Sequence, residues 1–130
     1  MGGLDILLVD DDSDIRRIAQ LALERVGGHH VRLAESGQAA LRLAREKVPD
    51  VILLDVMMPH FDGPSVLAAL RAEPELRDVP VLFVTAKVQR HESERFLALG
   101  AAGIVAKPFD PMTLAETIEK LLAAWRAGEK

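Results

Sequence analysis

Four apolar runs in this sequence stop abruptly at residues that can do chemistry. Leu4 to Val9 runs into Asp10-Asp11, Val51 to Leu54 into Asp55, Val81 to Val84 into Thr85, and Gly103 to Ala106 into Lys107. Each residue has an ordinary explanation when taken alone. An aspartate after a strand often caps a helix, although Asp12 and Ser13 suit that role better than Asp10 or Asp11. A threonine commonly closes a strand, and a lysine commonly sits in solvent. Taken jointly, they read differently. If the runs are parallel strands, all these side chains lie at the carboxyl edge of one sheet, where open α/β sheets bind their ligands.

Such a cluster is costly without a purpose. Two carboxylates about 5 Å apart repel by roughly 3 kcal/mol at an effective dielectric of 20. Three mutual pairs approach roughly 10 kcal/mol, comparable to the whole stability of a domain. Relief must come from a cation, from Lys107, or from a raised carboxyl pKa. A cluster of oxygens without His or Cys suits a hard ion such as Mg²⁺ or Mn²⁺. A Mg²⁺ with open positions recruits phosphoryl oxygens.

The elements that must hold these residues are visible as an alternation. The strands are Leu4 to Val9, His30 to Leu33, Val51 to Leu54, Val81 to Val84 and Gly103 to Ala106. Three of them are almost wholly apolar, as strands covered on both faces are. Ile15, Ile18, Ala22 and Val26 give the first helix an apolar spacing, and Gly27-Gly28 ends it. Ser36 caps a second helix from Gly37 to Lys47. A third starts near Gly63-Pro64-Ser65 and ends before Pro74. A fourth runs from Gln89 to Leu99 and stops at Gly100. The last opens with Asp110-Pro111, carries a stripe of Leu114, Ile118, Leu121, Leu122 and Trp125, and ends near Ala127. Alternating strands and helices predict a parallel sheet with helices on both faces and right-handed crossovers.

Composition bounds the function. A chain of 130 residues fits one domain, expected over 1–130 with a core from about 4 to 126. A net charge of −4 argues against non-specific binding to nucleic acid or to an acidic membrane. With no cysteine, disulfides, thiol catalysis and Cys-type zinc sites are excluded. One Trp, four Phe and no Tyr argue against a base-stacking platform. No leader or membrane-length apolar run is read at Met1-Gly2-Gly3-Leu4-Asp5 or elsewhere, so the expected compartment is the cytoplasm. The last helix is expected to leave no room for a DNA-binding output module.

The ordered segments carry a family resemblance. Leu7-Leu8-Val9-Asp10-Asp11, Leu53-Leu54-Asp55-Val56-Met57-Met58-Pro59, Asp62-Gly63, Val84-Thr85-Ala86 and Lys107-Pro108-Phe109 resemble the receiver domains of bacterial two-component response regulators. The spacings agree: Asp55 follows Asp11 by 44 residues, and Thr85 and Lys107 follow Asp55 by 30 and 52. The resemblance implies a flavodoxin-like (CheY-like) doubly wound sheet of strand order 2-1-3-4-5 with five helices. It implies that Asp55 accepts a phosphoryl group from a phosphohistidine on a sensor histidine kinase or phosphotransfer protein. Asp11 and Asp55 would bind Mg²⁺ directly, with the backbone carbonyl of Met57, and Asp10 would act largely through water. Lys107 would pair with phosphoryl oxygens, Thr85 would swing in to hydrogen-bond one, and the Lys107-Pro108 bond would be cis. The domain would assist its own phosphorylation and dephosphorylation without being a dedicated enzyme.

Other residues refine this expectation. Many receivers carry an aromatic residue three before the lysine, as part of a switch with the threonine; here that position is Ile104. Met57 and Lys87, two residues past Asp55 and Thr85, are expected to flank the phosphoryl group and tune its hydrolysis. His60 reads as an exposed loop residue, and His29-His30 as surface. The face made by helix 4, strand 5 and helix 5 is expected to meet a downstream protein target or fused output domain, or a second copy in a homodimer. The rival reading is a phosphorylation-independent pseudo-receiver that acts as a protein-binding module. An aspartyl phosphohydrolase would need a second Asp where Met57 stands, and no P-loop or G-x-G-x-x-G motif supports nucleotide binding.

Overall fold

Five parallel strands form one sheet in the order β2-β1-β3-β4-β5. The computed structural model describes residues 3–86 and 89–128. The strands are β1 (Asp5–Val9), β2 (His30–Ala34), β3 (Val51–Asp55), β4 (Val81–Thr85) and β5 (Gly103–Ala106). The helices are α1 (Ser13–Leu21), α2 (Gly37–Glu46), α3 (Gly63–Arg71), α4 (Arg90–Ala98) and α5 (Leu114–Arg126). The expected doubly wound architecture is therefore present. Among the described residues, no helix is long and apolar enough to cross a membrane.

The apolar strand runs are explained by two cores. Successive strand residues point to opposite faces. Leu7, Val9, Ile52, Leu54, Val81 and Phe83 meet α2, α3 and Phe96 of α4 on one side. Ile6, Leu8, Val51, Leu53, Leu82 and Val84 meet α1 and α5 on the other. Because β3 and β4 are buried along their whole lengths, the polar residues at their ends stand out.

Helix starts follow local capping. The Asp12 carboxylate accepts from the amides of Asp14 and Ile15 and opens α1. Ser36 accepts from Ala39 N and opens α2. Asp62 accepts from Ser65 N and opens α3, with Pro64 in its first turn.

Two expectations about the helices need correction. Asp110-Pro111 does not open α5. Asp110 caps a separate turn, taking Met112 N at 2.9 Å and, through its carbonyl, Thr113 N at 3.1 Å, and the helix begins at Leu114. The first helix passes into a π-helical segment, Ala22–Val26, before Gly28 turns the chain with φ 70°. Its buried side is Ala19, Ala22 and Leu23, whereas Ile18 and Val26 are 46% and 48% exposed. The small Ala19 and Ala22 face the sheet in place of Ile18, one position round the helix.

Candidate functional site

The carboxyl edge of the sheet gathers the reactive residues. Asp10 follows β1, and its amide still donates to Ala34 O of β2 at 3.1 Å. Its carboxylate turns inward, and the residue is 2% exposed. One oxygen accepts Asp12 N at 2.9 Å, and the other lies 3.0 Å from Lys107 Nζ. This local turn leaves Asp11 at its apex, exposed at the mouth of the site. Asp55 ends β3, is 4% exposed, and accepts Met57 N at 3.2 Å. Thr85 ends β4 one step beyond the Asp55–Val84 register and is also buried. Lys107 follows β5, with its amide donating to Thr85 O at 2.9 Å, and its bond to Pro108 is cis. Its ammonium reaches Asp55 Oδ1 at 3.4 Å.

Burial and charge set the protonation of the site. Burial raises the Asp55 pKa from its ordinary value, and the neighbouring Asp10 charge raises it further. The Lys107 charge and the Met57 amide oppose that rise without cancelling it. For Lys107, burial pulls the pKa down, but the hydrogen bond to Asp10 and the charges of Asp55 and Asp10 outweigh it, so the ammonium is held more firmly than usual. The carboxylates are thus crowded and only partly neutralised.

The donor set fits a hard divalent cation. Asp10, Asp11 and Asp55 each offer an oxygen, and these atoms lie within 4.8 Å of one another. They are all carboxylate oxygens, two from buried residues and one exposed to solvent, which is the chemistry Mg²⁺ prefers while it keeps some waters. Beside them a cleft of about 470 Å³ opens between the β3–α3 loop and α4. Met57, Pro59, Thr85, Glu92, Arg95 and Phe96 are among its walls.

Gly63 secures the loop under Asp55. A Cβ there would sit 2.9 Å from Val56 Cα and 3.3 Å from Asp55 O, so only glycine allows α3 to approach this closely. Its amide donates to Val56 O at 3.1 Å.

The remaining expected residues are dispersed. Met57 is 66% exposed at the mouth. Lys87 lies outside the described residues. Ile104 is half-buried on β5 and lines a separate hollow with Leu97 and Leu121. His60 is exposed, and its φ of 69° puts it in the left-handed region. His30 is exposed as expected, but His29 is not a surface residue. Its side chain is 6% exposed, with Nδ1 accepting Leu4 N at 3.0 Å and Nε2 2.7 Å from Glu119. Arg16 was absent from the sequence-based site, yet its guanidinium donates to Asp10 O at 2.7 Å. The available signal was a cation at the end of a first helical turn, where the helix dipole favours acids.

The family comparison rests on the same residues. The model of the response regulator receiver domain family matches residues 6–119. The chain belongs to that family. This receiver is similar to chemotaxis protein CheY-3 of Vibrio cholerae, at 34% identity over 91% of this chain and 91% of that protein. It is also similar to the probable transcriptional regulator ycf27 of Guillardia theta, at 38% identity over 90% of this chain but 44% of that protein. The receiver spans less than half the length of the ycf27 relatives. Among solved structures it is similar to Vibrio cholerae chemotaxis protein CheY4, with a TM-score of 0.85 and 32% identity over 92% of this chain and 99% of that one.

Proposed function

We propose that this receiver accepts a phosphoryl group on Asp55 from the phosphohistidine of a sensor kinase or phosphotransfer protein, with Mg²⁺ bound. The observation that carries the reading is the meeting of three carboxylates within 4.8 Å, with the Lys107 ammonium 3.4 Å from Asp55. Asp10, Asp11, Asp55 and the Met57 carbonyl would hold the ion, Asp10 largely through water. When bound, Mg²⁺ supplies positive charge against the phosphoryl oxygens. The Asp55 carboxylate attacks phosphorus while the P–N bond to the donor imidazole breaks, and the imidazole leaves with the electron pair. A carboxylate needs no general base for this step. Lys107 exchanges its carboxylate partners for a phosphoryl oxygen, and the Thr85 hydroxyl donates to another.

The product adds up to about two negative charges to the sheet edge. That change biases the partner face of α4, β5 and α5 toward a downstream protein, a fused output domain or a second copy. The same site serves dephosphorylation by water, with Met57 and Lys87 controlling access. The cytoplasmic assignment belongs to this reading as well. Ile104 favours a second reading, a protein-binding module independent of phosphorylation, because an aliphatic side chain offers no ring or hydroxyl to a threonine-linked switch. Incubation with acetyl phosphate and Mg²⁺, followed by intact-mass measurement, separates them. A phosphoryl adduct that disappears in Asp55→Asn supports phosphotransfer, and no adduct on the wild type selects the second reading.

A further inference from the structure

Asp10 O lies just past the end of the β1 ladder, where the sheet no longer supplies a donor. Arg16 Nη1 occupies that place at 2.7 Å. The preceding peptide is held as well, because Asp10 N donates to Ala34 O at 3.1 Å. Arg16 is itself anchored, since its amide donates to Asp12 O at 3.0 Å and Asp12 caps α1. The carbonyl of Asp10 and the amide of Asp11 belong to one planar peptide. Fixing that plane fixes the Asp11 N–Cα bond, so only the φ of Asp11 is left to set where its side chain leaves the backbone.

We propose that Arg16 is a positioning residue for the cation site, acting through the Asp10–Asp11 peptide to aim the Asp11 carboxylate at the oxygens of Asp10 and Asp55. The inference rests on the Mg²⁺-binding reading above. Groups behind the ligands commonly change metal affinity by about 10- to 100-fold when removed. The sign of the effect is diagnostic. Coulomb's law alone says that deleting a positive charge near a divalent cation tightens binding. Loss of a positioning contact weakens it.

Calorimetric titration of the full chain with Mg²⁺ at neutral pH and fixed ionic strength tests the proposal. Arg16→Gln is expected to bind about tenfold more weakly than the wild type. Arg17→Gln removes the same charge from an exposed neighbouring position and is expected to keep wild-type affinity or gain slightly. Unchanged or tighter binding by Arg16→Gln overturns the proposal, as does an equal loss in both variants. If circular dichroism finds Arg16→Gln unfolded, Arg16→Met keeps the aliphatic stem, and wild-type affinity in that variant overturns it too. A wild type that binds no Mg²⁺ removes the metal-binding reading itself, and with it this inference.

Discussion

Lys107 Nζ lies 3.0 Å from Asp10 Oδ2, and both side chains are largely withdrawn from solvent, at 18% and 3% exposed. One ammonium therefore stands between two acids, because it also reaches Asp55 at 3.4 Å. Lys107→Met leaves both acids without that cation and is expected to cost about 3 kcal/mol at neutral pH. Adding Asp10→Asn should recover part of the loss, giving a coupling of at least about 1 kcal/mol in a urea-denaturation cycle. The folded Lys107 pKa is raised, so its stabilisation is full below the unfolded value and is lost as pH rises through the folded one. The wild type should therefore lose this advantage over Lys107→Met in alkaline solution. Coupling near zero at neutral pH contradicts the assignment.

Asp55 has the opposite consequence. Its folded pKa is also raised, so the protonated form favours the fold and ionisation counts against it. Without divalent ions, Asp55→Asn should raise stability at neutral pH by about 1 kcal/mol, or a few degrees in Tm. The gain should shrink as pH falls from the raised folded pKa, where the wild type begins to protonate Asp55, to the ordinary carboxylate value of the unfolded chain. A lower Tm at neutral pH would show that burial and the Asp10 charge do not dominate this carboxyl.

Gly63→Ala tests how closely α3 must approach β3. The added Cβ meets backbone at 2.9 Å, which cannot rotate aside as a side chain can. A loss of about 1–3 kcal/mol is expected, with chemical-shift changes centred on Asp55 and Val56. Wild-type stability with unmoved resonances would refute the close approach.

His29 ties the start of β1 to α5. His29→Ala deprives the Leu4 amide of its acceptor and should cost about 1–3 kcal/mol. Glu119→Ala should cost less, because that side chain is 49% exposed. Equal losses in chemical denaturation would place the energy in the Glu119 contact instead of the amide contact.

The contrast between these residues explains how much was legible. Asp10, Asp55, Thr85 and Lys107 could be read because each interrupts an apolar strand run, and parallel strands bring their carboxyl ends to one edge. Asp12, Ser36 and Asp62 could be read because capping is local. His29 could not, since its partner Glu119 is 90 residues away and nothing in His29-His30 says which ring turns inward. Arg16 was missed because its target is a backbone carbonyl, which no residue type advertises. The α5 start was misread because Asp110 satisfies its own turn before the helix begins. On α1, the apolar spacing of Ile15, Ile18, Ala22 and Val26 fixed the periodicity but not the rotation, which the small Ala19 and Ala22 decided.

The central claim is that Asp55 itself becomes the acyl phosphate. After phosphorylation by acetyl phosphate and Mg²⁺, borohydride reduction converts such a group to an alcohol, and peptide mapping locates it. The account predicts reduction at position 55 alone, requiring Mg²⁺ and absent from Asp55→Asn. Phosphorylated protein whose reduced residue lies elsewhere, or whose Asp55 survives unchanged, would contradict it.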